Sequence, residues 1–154
     1  MGLTQQASEW NEELLRIRPF DIEAMVRQVN YSLGNQRLEE GLAWSKKILE
    51  QEPLDPNHRL RLARLEEWNG NVNEAMQQRQ WLAQNNPSVE NDKELLRIAE
   101  LNWDSITAAS ALRRISRTTQ LGTEDILRLV KLYEQDGSPP VSYTHLTLPT
   151  IYSV

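Results

Sequence analysis

The residues of this 154-residue chain that could do chemistry are two histidines, three adjacent glutamate pairs, a set of arginines and five tryptophans. His58, flanked by Asn57 and Arg59, has no sequence neighbour that would make it a catalytic base, which needs a nucleophile and an orienting group in reach. It is expected to be an exposed surface histidine; the second, His145, lies in a C-terminal stretch set apart below. Glu12-Glu13, Glu39-Glu40 and Glu66-Glu67 have the composition of paired acid–base carboxylates. Adjacent positions on a helix point about 100° apart, however, and each pair borders an apolar stripe, so solvated helix faces are expected. No two histidines stand at metal-binding helical spacing, and no Gly-Lys-Ser/Thr phosphate loop is present. With no cysteine, thiolate nucleophiles and zinc–thiolate sites are excluded. Catalytic, metal and cofactor residues are therefore all assigned as none. An enzyme working through His58 or Glu66 ranks third among the possible functions.

The elements that must carry these residues follow from a repeat. Pro19, Pro53 and Pro87 stand 34 residues apart. Proline fixes φ and lacks an N–H, so its recurrence marks a recurring helix stop. Ala7, Gly41, Ala75 and Ala109 form a small-residue series at the same interval, and Trp10 recurs as Trp44. Leu14, Ile48 and Leu82 form one apolar series; Leu38, Val72 and Ile106 form another. Between the stops, apolar residues recur at helical spacing in pairs of segments separated by turn residues. Leu62-Ala63, then Gly70-Asn-Val-Asn-Glu-Ala75, then Pro87 place small residues where two helices meet and a glycine where the chain reverses.

These residues and this period resemble the tetratricopeptide repeat, a helix–turn–helix unit. The resemblance implies an all-α solenoid wound as a right-handed superhelix. The expected units are a partial repeat over 4–20, repeats over 22–55 and 56–89, a divergent repeat over 90–122 and a partial one over 123–138. In this register Ala7 already stands in a second helix, and Gly137 closes a first helix whose partner does not follow. The expectation is a window from a longer solenoid, cut in mid-repeat at both ends and marginally stable, because repeats bury their apolar faces only against neighbours.

First helices line the concave groove of such solenoids, and the resemblance therefore nominates groove residues. Asn30 and Arg64 hold equivalent positions, with Ile98 and Leu132 following, and Arg61 and Trp68 lie on the same helix as Arg64. Asn30, Arg61, Arg64 and Trp68 are the candidate binding set, suited to an acidic or aromatic peptide or a saccharide. Ordinary solvated arginines paired with glutamates are the competing reading. The carboxylate clamp of chaperone-binding members is rejected, because only Asn30 falls on its pattern, whereas Val26, Arg61, Asn91 and Leu95 depart from it. Trp10 and Trp44 are expected to pack between repeats, and Trp68 and Trp103 to be exposed.

The net charge of −5 disfavours nucleic acid and anionic membrane surfaces, and no apolar run reaches the length of a membrane span. The leading function is a non-enzymatic scaffold that binds a protein or peptide through its groove. A second resemblance rests on the phrase Leu65–Ala75 with Trp81-Leu-Ala83, which is similar to the periplasmic repeats of the Pel exopolysaccharide export family. It implies polysaccharide-export components as partners and a periplasmic location; otherwise a cytoplasmic one is expected. Residues 141–154 lose both charge and helical period, and Val141–Thr150 resemble the translation of a transposase sequencing adapter. They are set aside as a non-native tail.

Overall fold

The computed structural model describes residues 3–135, with side chains from 6 onward. The tail at 141–154 and the end of the last predicted repeat lie outside the described residues. Within them the chain forms eight helices and no strand: α1 (Leu3–Ile17), α2 (Ile22–Gly34), α3 (Leu38–Gln51), α4 (Pro56–Trp68), α5 (Val72–Asn85), α6 (Val89–Leu101), α7 (Ser105–Thr118) and α8 (Thr123–Gln135). Each packs on its neighbours in sequence, as a solenoid requires. Among the described residues no helix is long and apolar enough to cross a membrane.

The first helices α2, α4 and α6 start where their caps dictate. Asp21 accepts the backbone N–H of Ala24, and Asp55 those of Asn57 and His58. Ser88 accepts that of Asn91. Each cap satisfies amides that the first turn leaves without a partner. Pro56 stands at the start of α4, where its missing N–H costs nothing.

The same three helices also end alike. Gln36, Gly70 and Trp103 take positive φ, and the following amides, of Arg37, Asn71 and Asp104, donate to Ser32, Glu66 and Ala99 at 2.8–2.9 Å. This is the left-handed closure that satisfies the last helical carbonyls. Gly70 suits it without strain; Trp103 takes the same conformation with a large side chain.

One element departs from the 34-residue register. Ile22 to Pro56 is 34 residues, but Pro56 to Val89 is 33, because only Asn86, Pro87 and Ser88 join α5 to α6. The small-residue contact follows the helices rather than the fixed interval. Gly41, Ala75 and Ala108 each stand fourth in a second helix and are buried, so Ala108 takes the place expected for Ala109. A Cβ built on Gly41 would lie 3.3 Å from Leu33 and 3.7 Å from the Val29 carbonyl, which shows how closely α2 and α3 approach.

The apolar core falls into two clusters. Leu15, Met25, Val29, Ile48, Leu62 and Leu65 belong to that of α1–α4, whereas Leu95, Ile98, Leu112, Ile115 and Leu129 belong to that of α5–α8. Burying each large side chain contributes about 1.5–3 kcal/mol. The α4–α5 layer also carries charge: Glu66 (1% exposed) and Arg79 (4% exposed) are both buried. The Glu66 carboxylate accepts from the Lys46 ammonium at 2.9 Å and the Asn71 amide at 2.6 Å. The solvated face expected for Glu66 is thus replaced by a buried carboxylate with two donors, the condition on which a charge is tolerated inside a protein.

Candidate functional site

The ninth residues of α2, α4, α6 and α8 are Asn30, Arg64, Arg97 and Lys131, and all four are exposed. This row corrects the expected one. Ile98 and Leu132 are 1% and 8% exposed and belong to the core, because the shortened α5–α6 connection shifts every later helix by one residue. Extrapolating 34 residues past Pro87 misses Arg97 and Lys131. The Ser88 cap two residues before Glu90 was the available signal, since a helix capped there must begin at Val89.

Around this row the helices differ in charge. The sixth residues are Arg27, Arg61, Glu94 and Arg128, and the twelfth are Leu33, Glu67, Glu100 and Glu134. Arg97 pairs with Glu94 of its own helix at 3.0 Å and with Glu67 of the preceding first helix. Arg128 forms a two-pronged pair with Glu100. Burial alone would lower the affinity of Arg97 for its proton, but the bonds to Glu67 and Glu94 outweigh it and raise its pKa; Glu100 raises that of Arg128. Behind them, buried Arg79 donates to Glu67 at 3.0 Å and lies 3.4 Å from Glu94. Arg27 donates to Asn11 at 3.0 Å and lies 3.9 Å from Glu23.

Arg61 and Arg64 have no such partner: among the described residues no carboxylate lies within ion-pair distance of either. One amino group of Arg61 is buried without any hydrogen-bond partner. Arg61, Arg64 and Trp68 are spaced i, i+3, i+7 and so share one stripe of α4, with Trp68 68% exposed at its end. The candidate set therefore divides into Arg61, Arg64 and Trp68 on α4, and Asn30 at the matching position of α2.

The other nominated residues have structural roles or separate locations. His58 is only 14% exposed in its side chain, not on the open surface as expected, and its Nε2 lies 3.0 Å from Glu52. With Asp55 these residues bring three potential metal-ligand atoms within 4.8 Å of one another. Asp55 already accepts two amides of the α4 cap through one oxygen, and Nδ1 of His58 is buried without the partner that orients a metal-binding imidazole. The group reads as a helix cap with a His–Glu contact. Trp10 is 76% exposed on α1, contrary to the packing expected of it, since α1 packs only on α2 among the described residues. Trp44 is half-buried with the Lys47 ammonium 4.3 Å from its ring. Trp81 carries the Arg59 guanidinium at 4.1 Å, a cation–π stack. Trp68 and Trp103 are exposed as expected.

The sequence matches no family model and no curated protein. Solved structures do match. The chain is similar to a chain of the Naa15/Naa10 complex bound to HypK-THB, with a TM-score of 0.68 and 16% identity over 87% of this chain. It spans 20% of that chain. It is also similar to MamA, with a TM-score of 0.64 and 16% identity, covering 82% of this chain and 70% of the other. A third similarity is to a putative kinesin light chain of Podospora anserina with nearly identical TPR-like repeats. Its TM-score is 0.58 and its identity 17%, over 87% of this chain and 79% of that one. The fold is a tetratricopeptide-type helical solenoid. At these identities the likeness establishes the architecture, and the α4 stripe has to be read from its own residues.

Proposed function

We propose that this chain is a non-enzymatic scaffold whose first-helix face, at α2 and α4, docks a carboxylate-bearing segment of a protein partner. The observation that carries this reading is the pair Arg61 and Arg64, cations on one stripe with no carboxylate at ion-pair distance among the described residues. Arg61 acts only from further off, on the Asp55 carboxyl. A partner's Asp or Glu would meet the exposed Arg64 guanidinium, free to form a two-pronged bond, with the charge of the half-buried Arg61 beside it. Trp68, one turn beyond Arg64, offers a ring for an apolar or aromatic neighbour of that carboxylate, and the exposed Asn30 adds an amide donor and acceptor on the adjacent helix. The repeat fold supports the reading, because stacked helices hold such side chains on a rigid surface. The export reading draws on the phrases Leu65–Ala75 and Trp81–Ala83 alone, and no feature of the α4 stripe favours it.

The test is amide NMR of the chain during titration with a short peptide of Asp and Glu carrying one aromatic residue. Saturable shifts centred on α4 and the adjoining part of α2 are expected. No saturable shift, or shifts spread evenly over all eight helices, would refute the proposal.

A further inference from the structure

A second exposed surface lies at the turns that close α4 and α6. Leu101 and Trp103 are 63% and 91% exposed, and Ile106, at the start of α7, is 64% exposed. The Asn102 amide donates to Asn73 at 2.8 Å, which ties this turn to the start of α5 and so to the turn that follows Trp68. Isolated exposed apolar residues need no explanation, but three within six residues of one turn do. Trp103 also sits at φ +58, where Gly70 sits at +79 in the preceding repeat. A large side chain is disfavoured there, and the chain closes the same turn without one in the repeat before.

The two segments that form these turns contribute carboxylates and no cation. No Lys or Arg lies between 65 and 78 or between 98 and 112, whereas Glu66, Glu67, Glu74, Glu100 and Asp104 do. Glu66, Glu67 and Glu100 are held by Lys46, by Arg79 and Arg97, and by Arg128. Glu74 is exposed, and neither it nor Asp104 has an ion-pair partner among the described residues. Asp104 accepts the Thr107 amide with one oxygen.

We infer that this turn edge is a second docking surface, for a cationic amphipathic segment of a partner protein. Its apolar residues would lie on Trp103, Leu101 and Ile106, and its Lys or Arg would face Glu74 and Asp104. Its contact residues do not include Arg61, Arg64 or Trp68 and suit the opposite charge, so the two sets would let the solenoid hold two different segments.

Fluorescence anisotropy of a labelled peptide of Leu and Lys, patterned as an amphipathic helix, tests this. The expected result is saturable binding that weakens several-fold between about 20 and about 200 mM salt. Trp103→Gly should weaken it about tenfold or more, while its helical content is unchanged and its melting temperature is equal or higher, since the backbone there suits glycine. Ile106→Ser is the second variant, should Trp103→Gly misfold. Arg61→Ala with Arg64→Ala should bind this peptide as the parent does, which separates this surface from the one proposed above. Undiminished binding to a folded Trp103→Gly or Ile106→Ser, equal binding of a Leu/Glu peptide, or Trp103-dependent binding of an oligosaccharide without binding of the Leu/Lys peptide would each overturn the inference.

Discussion

Arg64 in α4 and Arg97 in α6 both stand ninth in a first helix and both are exposed, yet only Arg97 is neutralised. Two positions explain the difference. The sixth residue of its own helix is Glu94 for Arg97 and Arg61 for Arg64; the twelfth residue of the preceding first helix is Glu67 for Arg97 and Leu33 for Arg64. Arg128, the sixth residue of α8 and not the ninth, also meets a twelfth-position glutamate, Glu100 of α6. The repeat thus contains a place where a glutamate silences the next helix's arginine, and α2 fills that place with leucine. The charge available for binding is set by these two positions, one on the same helix and one on the first helix before it.

The comparison can be broken or sharpened by substitution. The largest effect is expected for Glu67→Ala, which removes a carboxylate from buried Arg79 as well as from Arg97. Leaving a buried cation short of a partner costs about 3 kcal/mol, to be read as a lower urea midpoint with an unchanged slope. A stability change within about 0.5 kcal/mol would show that Glu94 alone suffices. Asp55→Ala comes next, at about 1 kcal/mol, because α4 loses the cap that starts the helix bearing Arg61 and Arg64.

The Asp55 carboxyl also gives a pH signature. Its pKa is lowered chiefly by the His58 amide that it accepts, with desolvation opposing and the Asn57 amide assisting. A carboxyl with a folded pKa below its unfolded value stabilises the fold above the unfolded pKa. That contribution is lost as pH falls through the folded pKa, so denaturation midpoints should fall below about pH 4, and less steeply in Asp55→Asn. The smallest effect on stability is expected for Glu100→Gln, about 0.5 kcal/mol, because its pair with Arg128 is partly exposed to solvent. The same change should free Arg128 and strengthen binding of an acidic peptide by roughly threefold, which is under 1 kcal/mol. Unchanged or weaker binding would break the silencing rule.

The architecture was legible in the sequence because helix stops, caps and turn residues are local signals. Asp55-Pro56 marks the start of α4 and Gly70 its closing turn without knowledge of any neighbour. The one-residue contraction at Asn86–Ser88 is marked only by the Ser88 cap, because Pro87 keeps the interval while the helix after it starts early. The burial of Glu66 and Arg79 depends on contacts between repeats, which composition does not encode. Arg61 and Arg64 could be nominated from their spacing; their lack of partners needed the lateral alignment of first helices. Trp103 escaped as a left-handed residue because bulky side chains rarely take that conformation.

The most direct test is calorimetry of one acidic peptide at low salt against two double variants, Arg61→Ala with Arg64→Ala and Arg97→Ala with Arg128→Ala. If unpaired charge makes the site, the first pair should weaken binding about tenfold or more, equivalent to about 1.4 kcal/mol, and the second less than about threefold. Equal losses in the two variants, or a loss confined to the second, would contradict it.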